Sequence, residues 1–286
     1  LTNDHALVEK CRDLLLKEIR ITTAEGIQPD YSFHQHGPRL QAFHYGGAFL
    51  RDNIRLAWEC SGTSLAFPKE KIKILSDFVL NGWQWMARGI HTVPGTIDRA
   101  ISRPGELRSA DIRSLIPYLI EIDPERKNEF LALASRQEGA GTPLRGFRYY
   151  PYSDFMAYHQ DVFSFFLKTI STRTLPTESI NSENLKGKLL NSGDGYVIRD
   201  GNEYDDLMPV WDWEKLPQVT AFGGADQIVR QDFCGSVSDG ESGLTAMDYR
   251  MRGKDNELLK AKKFWACHDG TVLCLIAGME TNGIEG

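Results

Sequence analysis

The segment Asp30-Tyr31-Ser32-Phe33-His34-Gln35-His36-Gly37-Pro38-Arg39-Leu40, followed by Tyr45, is the part of this sequence that decides how the rest is interpreted. Gly37-Pro38 predicts a break in the chain, and proline has a φ suited to the first position of a helix. We therefore expect a helix over 40–59, with His36 at its mouth and Tyr45 on it. An imidazole and a phenol in one cleft can transfer protons to and from a substrate.

The composition is that of a globular chain and disfavours nucleic acid as a partner. The 286 residues are 41% hydrophobic and 25% charged, with a net charge of −6. Nucleic-acid-binding domains are usually basic. The sequence has no apolar run of about 18 residues, so we expect no membrane span. Because it starts at Leu1 inside a helical pattern, we interpret the chain as a piece of a longer protein.

Hydrophobic periodicity predicts helices in the first half of the chain and strands in the second. Helical spacing covers 4–20, 40–59, 68–88, 109–122 and 124–135. Strand patterns cover 147–159, 162–172 and 196–198, and a hairpin pairs 261–267 with 271–276 across Asp269-Gly270. Helices before strands favour two separate domains, which we place at 1–143 and 144–286. Long helices joined by ordered loops are typical of a toroid or solenoid.

The cysteines and histidines do not predict a metal site. The five cysteines lack Cys-x-x-Cys spacing, so we expect buried thiols at Cys11, Cys60, Cys234, Cys267 and Cys274. His34, His36 and His44 could be ligands, because His-x-His on an extended segment puts both rings on one face. No carboxylate or cysteine lies at ligand spacing beside them, and we predict no metal.

Two further polar segments are candidates for binding an anion. Arg99 and Arg103 are four residues apart, and Pro104 keeps them out of a regular helix. Their guanidinium forks could bind a carboxylate or sulfate, while surface salt bridges are the alternative. The run 177–184 holds two carboxylates and two amides, and by itself is only a polar loop.

Taken together, these segments resemble polysaccharide lyase family 8, the chondroitin AC, hyaluronate and xanthan lyases, and the chondroitin AC branch is the most similar. The matching motifs, in order, are Asp30-Tyr31-Ser32-Phe33-x-Gln35-His36-Gly37-Pro38-x-Leu40 with Tyr45, Arg99-x-x-x-Arg103-Pro104, Glu178-Ser179-x-Asn181-x-Glu183-Asn184, Met208-Pro209-Val210-Trp211-Asp212-Trp213 with Leu216-Pro217, and Gly235-x-Val237-Ser238-Asp239-Gly240 with Ala261-Lys262-Lys263. They span nearly the whole chain.

The resemblance implies an α+β fold, with an incomplete α/α helical toroid followed by an antiparallel β-sandwich. It implies a catalytic set of His36, Tyr45, Arg99 and Glu178, with Glu183 as the alternative glutamate. It also implies substrate binding by Arg103 and Asn181, to which we add His34 as a candidate. The family's catalytic asparagine and stacking tryptophans lie upstream of Leu1. Some members bind calcium, but Arg250 stands where a carboxylate would be needed, so we predict no cofactor.

The activity implied by the resemblance is β-elimination of a uronate-containing polysaccharide. The proton on C5 leaves only if hydrogen bonds neutralise the neighbouring carboxylate as negative charge develops. Tyr45 would take this proton and return one to the leaving oxygen on C4, and His36 would bind the carboxylate or share the proton. The alternatives are a non-catalytic module that binds acidic glycans and a toroidal glycoside hydrolase. We expect a monomer that is secreted or periplasmic, with no membrane partner.

Overall fold

The computed structural model describes residues 4–284, with helices in the first half and antiparallel sheets in the second. The α-helices are α1 (His5–Glu18), α2 (Tyr45–Glu59), α3 (Lys69–Asp77), α4 (Ile116–Ile122) and α5 (Lys127–Gln137). The strands are β1 (Gly26–Ile27), β2 (Phe33–His34), β3 (Gly146–Tyr150), β4 (Phe155–His159), β5 (Ser164–Lys168), β6 (Asp194–Ile198), β7 (Ala225–Ile228), β8 (Cys234–Ser238), β9 (Gly243–Gly253), β10 (Leu258–His268) and β11 (Thr271–Asn282). The predicted α+β class is confirmed. The boundary at 143/144 stays a prediction.

The predicted first helix is confirmed as α1, but its apolar side does not enter the core. Asp4 caps the helix, its carboxylate accepting from the Leu7 amide at 3.0 Å. No residue of α1 is buried, and Leu14 remains 53% exposed. Leu16 packs against the small apolar cluster of Ile19 and Leu75, so the amphipathic spacing gave the helix correctly although most of its apolar face stays exposed.

The second helix begins later than predicted, at Tyr45 rather than Leu40. The chain around Gly37 forms a tight turn instead, with Gly37 at φ 79° and the Arg39 amide donating to the Gly37 carbonyl. Leu40 then pairs with His34 as an isolated bridge. Pro38 is thus a turn residue. His36 lies at the tip of a loop, and Tyr45 opens the helix.

The helix predicted over 68–88 is irregular after its first half. α3 ends at Asp77 and continues as a π-helical turn over Phe78–Gly82 and a 3-10 turn over Trp83–Met86. A Cβ on Gly82 would lie only 2.0 Å from the Tyr31 carbonyl oxygen. The backbone of the segment bearing His36 therefore packs directly against this glycine, and any residue with a Cβ at position 82 would collide with it.

The second half forms two antiparallel sheets. One is the meander β3-β4-β5-β6. The other has the order β11-β10-β9-β7, with β8 also paired to β9. The predicted hairpin is confirmed in β10 and β11, whose two-residue turn has φ 44° at Asp269 and 70° at Gly270.

Several strand predictions were wrong in extent. The single strand expected over 147–159 is the β3–β4 hairpin, because the chain turns between them with Asp154 at φ 47°. The strand expected over 162–172 is reduced to β5. β7, β8 and β9 were not predicted, although β9 alternates buried and less buried residues along most of its length, as a one-sided strand does.

The expectation of buried thiols holds for two cysteines only. Cys234 and Cys267 are buried, Cys60 is half-buried, and Cys11 and Cys274 are exposed. Cys11 lies on α1, which buries nothing, and Cys274 lies on β11, which pairs with a neighbour on only one side. In residues 4–284, no helix combines the length and apolar character needed to cross a bilayer.

The helical half and the sheets share one continuous apolar core, running from residues such as Leu50 and Trp83 to Tyr150 and Trp265. Tyr150 donates from its buried hydroxyl to the Asn81 carbonyl at 2.9 Å. The loop between β5 and β6, residues 169–193, returns over the helical half. This loop carries the polar run 177–184 to the His36 turn.

Candidate active site

His36 and Glu178 meet where this β5–β6 loop crosses the His36 turn. Arg39 fixes the crossing, because its Nε donates to the Pro176 carbonyl at 2.9 Å, and the Leu175 amide donates to the Pro38 carbonyl at 3.1 Å. The His36 Nδ1 lies 2.9 and 3.0 Å from the two oxygens of Glu178. Since a carboxylate only accepts, Nδ1 carries the proton and Nε2 is left for a ligand.

Arg99 occupies the centre of the cluster, with its side chain only 4% exposed. It comes from a 3-10 turn, Asp98–Ser102, in the loop before α4. Its guanidinium donates to Glu178, to the Glu183 Oε2 at 2.8 Å and to the Tyr45 hydroxyl at 2.8 Å. The fork is fully engaged inside the protein, so Arg99 holds other site residues instead of reaching into open solvent.

Tyr45 is half-buried at the first position of α2, where the helix and the His36 loop meet. Its ring centroid lies 4.9 Å from that of His36 and 4.4 Å from that of His44. A guanidinium donating to a phenolic oxygen stabilises negative charge on that oxygen. The hydrogen bond from Arg99 therefore fixes the position of the Tyr45 hydroxyl beside the rings of His36 and His44.

A second chain of hydrogen bonds starts at Arg103 and returns to Glu178. Arg103 binds Glu183 with Nε and Nη2, and its Nη1 donates to the His44 Nε2 at 3.1 Å. The His44 Nδ1 then donates to the Gln41 Oε1 at 3.0 Å, and the Gln41 amide donates to Glu178 at 3.2 Å. Burial lowers the pKa of His44 to about 4, with help from Arg103 and Arg99, so this ring stays neutral.

The charges of the cluster balance. Two guanidiniums, Arg99 and Arg103, face two carboxylates, Glu178 and Glu183, giving 2 − 2 = 0. Burial works to raise the pKa of Glu178, but the hydrogen bond from His36 and the charge of Arg99 lower it overall. The hydrogen bond from Arg103 lowers the pKa of Glu183. Both glutamates are therefore held as ions.

Two predicted residues do not join the cluster. His34 is 2% exposed on β2, and its Nε2 bonds to the Ser153 hydroxyl at 2.9 Å. Burial, with help from the charge of nearby Lys168, lowers the pKa of His34 to about 4. A substrate cannot contact so deeply buried a ring. Asn181 is exposed at φ 56° and makes no side-chain hydrogen bond to any of residues 4–284.

Sequence reasoning missed three residues that support the site, Gln41, Asp98 and Asn184. Asn184 donates to the Glu178 carbonyl at 3.0 Å, and Asp98 accepts from the Glu178 amide at 3.0 Å. Gln41 and Asp98 are 137 and 80 positions from Glu178. In the sequence, Asp98 stood next to Arg99 and Asn184 closed the matched motif without a role, whereas nothing pointed to Gln41. Among the described residues, no group of three or more His, Cys, Asp or Glu side chains is arranged to hold a metal.

The chain matches two domains of one family. The description "polysaccharide lyase family 8, N terminal alpha-helical domain" matches residues 1–134, and "polysaccharide lyase family 8, super-sandwich domain" matches residues 145–285. The change from one domain to the other falls where the structure passes from α5 to β3.

Individual relatives agree with this match. The chain is 31% identical to the chondroitinase-AC of Pedobacter heparinus, over all of this chain and 42% of that protein. A chondroitinase AC lyase solved in oligosaccharide complexes superposes with a TM-score of 0.86 at 29% identity, over 98% of this chain and 43% of that one. A Paenibacillus xanthan lyase superposes with a TM-score of 0.81 at 20% identity, over 98% and 31%, which supports the fold alone. The chain spans less than half the length of each.

Proposed function

The chain belongs to polysaccharide lyase family 8, and from that membership we propose that the full-length protein cleaves a uronate-containing glycan of the chondroitin or hyaluronan type by β-elimination. The observation that carries the proposal is the convergence of His36, Tyr45, Arg99 and Glu178 in one hydrogen-bonded cluster. These four side chains come from three separate stretches of sequence. Their assembly around a half-buried phenol supports proton-transfer chemistry.

In the proposed reaction, Tyr45 acts as base and then as acid. Its Oη takes the proton from C5 of the uronate, the electron pair of that bond forms the C4–C5 double bond, and the bond from C4 to the leaving oxygen breaks. The proton then passes from Tyr45 to this oxygen, so that no net charge is left behind. Tyr45 must be ionised before the first transfer and is ionised again after the second, and the hydrogen bond from Arg99 stabilises its phenolate in these two states.

His36 is proposed to contact the substrate through Nε2, since its Nδ1 is engaged by Glu178. The ion cluster has no excess positive charge, so it cannot by itself neutralise the C5 carboxylate. That neutralisation is proposed to come from residues outside residues 1–286, which agrees with the upstream asparagine that the resemblance implies, and from His36, which must carry a proton on Nε2 as well as on Nδ1 to donate to a carboxylate. The activity is proposed for the full-length protein for this reason.

We also propose a more detailed architecture, a partner and a cellular location for the protein. We propose that the helices form part of an α/α toroid and that the two sheets form an antiparallel β-sandwich, supported by the core that both halves share. The partner is an acidic polysaccharide, the protein is a secreted or periplasmic monomer, and the reaction uses neither a metal nor an organic cofactor.

The decisive experiment incubates full-length protein with chondroitin, hyaluronan and xanthan. Elimination produces a C4–C5 double bond conjugated to the carboxylate, and we expect its ultraviolet absorbance to rise with a uronate substrate. New reducing ends without this absorbance would identify a hydrolase instead. Binding of the glycans with no cleavage would identify a non-catalytic module.

The two glutamates of the cluster give little support to the hydrolase alternative. A glycoside hydrolase needs one carboxyl group that stays protonated to act as general acid, and such a group has a raised pKa. The pKa values of Glu178 and Glu183 are both lowered, because each accepts hydrogen bonds from arginine. Neither can readily donate a proton.

Replacing Arg103 by lysine is expected to lower kcat/KM by about 10- to 100-fold, from the 1.5–3 kcal/mol typical of hydrogen bonds to charged groups. The side chain of Arg103 is 40% exposed, so it can contact substrate while it binds Glu183 with two of its nitrogens and His44 with the third. A lysine has one nitrogen and cannot make this planar set of contacts. Steady-state kinetics on sulfated and unsulfated chondroitin measure the loss.

The control for this variant is Arg113→Lys, since Arg113 also pairs with a carboxylate and is 44% exposed. It lies in a 3-10 turn before α4 and has no bond to the cluster. We expect it to keep wild-type kinetics. If Arg103→Lys also kept them on every substrate, Arg103 would have no part in binding or catalysis.

A further inference from the structure

We infer that Asp98 is a positioning residue of the site, which fixes the two backbone segments that carry Arg99 and Glu178. The inference rests on the function proposed above and assigns a role to a residue that does not itself touch the substrate. Asp98 is 1% exposed, directly precedes Arg99 in the loop before α4, and contacts the β5–β6 loop through its side chain. No hydrogen bond joins it to His36 or Tyr45, so any effect on catalysis passes through its neighbours.

One oxygen of Asp98 joins the two loops. Its Oδ1 accepts from the Arg99 amide at 2.7 Å, from the Glu178 amide at 3.0 Å and from the Thr177 hydroxyl at 3.2 Å. Asn184 completes the support by donating to the Thr177 hydroxyl and to the Glu178 carbonyl, both at 3.0 Å. The backbone of Glu178 is therefore held on both sides.

The backbone of Asp98 shows that this position is specialised. Its φ is 51°, in the left-handed region that favours glycine, asparagine and aspartate. Among residues 4–284, its second oxygen, Oδ2, is buried without a hydrogen-bond partner. A buried carboxyl with one oxygen unpaired is costly, and such cost is concentrated at functional sites. At Asp98 this cost is tolerated because the other oxygen, Oδ1, must accept from three donors.

Asp98 would affect catalysis through Arg99 and Glu178, whose backbone amides it binds. Glu178 orients His36, and Arg99 orients both Glu178 and the Tyr45 hydroxyl. Without the acceptor on Asp98, both loops lose their common anchor, and the proton-transfer groups move relative to each other. A misplacement of about 1 Å can reduce the rate by 10²-fold while more distant sugar contacts persist. The effect should therefore fall on kcat more than on KM.

Three substitutions test whether the acceptor oxygen of Asp98, and not merely its charge or its burial, supports catalysis. Asp98→Gly suits the positive φ but removes the acceptor, and we expect kcat to fall about 10- to 100-fold with KM within threefold of wild type. Asp98→Asn keeps an acceptor oxygen and tolerates the same φ, so we expect it to retain kcat within about fivefold. Asp194→Asn is the control, because Asp194 is also fully buried but accepts from the Tyr196 hydroxyl and the Ser192 amide instead of from the site loops.

Two measurements make the test decisive. Full-length wild type must first form unsaturated product, and its failure to do so would count against the proposed function alone. Amide hydrogen exchange then tests the anchor without any activity: the Arg99 and Glu178 amides should exchange at least tenfold faster in Asp98→Gly than in wild type or Asp194→Asn. Unchanged exchange, an unchanged kcat in Asp98→Gly, or an equal loss in Asp98→Asn would each overturn the inference. Thermal melts verify that every variant is folded.

Discussion

Tyr45→Phe in the full-length protein is expected to reduce the rate of elimination by about 10³-fold or more, while glycan binding stays within several-fold of wild type. General acid–base groups contribute about 10²- to 10⁴-fold each, and Tyr45 is proposed to act as both base and acid. The substitution removes only the hydroxyl that Arg99 binds at 2.8 Å. The ring keeps its contacts with His36 and His44, so the fold should not change.

The measurement is the absorbance of unsaturated product, together with titration of a chondroitin oligosaccharide to obtain its Kd. Tyr118→Phe is the matched control: Tyr118 is also half-buried and packs against an aromatic ring, that of Trp58 at 4.6 Å, but it lies on α4 outside the cluster. We expect this control to keep the wild-type rate. If Tyr45→Phe retained more than a tenth of that rate, another group would have to move the proton.

Arg99→Met is expected to abolish activity and to lower the free energy of unfolding by about 3–5 kcal/mol, the usual result of removing one partner from a buried ion pair. Arg99 is 4% exposed and donates to both Glu178 and Glu183. Without it, Glu178 keeps only His36 and Gln41, and Tyr45 loses its donor. The variant should therefore lose stability and catalysis together, whereas Tyr45→Phe loses catalysis alone.

Urea denaturation and thermal melts of Arg99→Met measure the loss in the free energy of unfolding. Arg55→Met is the control, because Arg55 forms a helical ion pair with Glu59 and is 72% exposed. Exposed ion pairs contribute little to stability, so this control should unfold close to wild type. An Arg99→Met protein as stable as the Arg55 control would mean that the buried cluster is not held by Arg99.

The order of the elements could be predicted from the sequence wherever one periodic pattern decided the outcome. Helices α1 and α5 and the β10–β11 hairpin follow from apolar spacing and from Asp269-Gly270, which are local properties. The start of α2 could not be found in this way. Pro38 is suited to a helix start and to a turn alike, and the turn forms because Leu40 pairs with His34.

The sequence by itself determined the residue types of the candidate site and the family to which the chain belongs. His36, Tyr45, Arg99, Arg103 and Glu178 stand in ordered motifs, and motif order needs no structure. The sequence also left Glu178 and Glu183 as alternatives for the catalytic glutamate. The structure gives both a place, since Glu178 binds His36 and Arg99, and Glu183 binds Arg99 and Arg103.

Only the tertiary structure decided which side chains meet. Glu178 lies 142 positions from His36, and the two come together because the β5–β6 loop folds back over the helical half. His34 is excluded from the site by its own packing, because its buried ring bonds to Ser153. The supporting role of Asp98 likewise depends on an amide 80 positions away. Local patterns specify helices, strands and turns, whereas contacts between distant segments depend on how the shared core packs the two halves together.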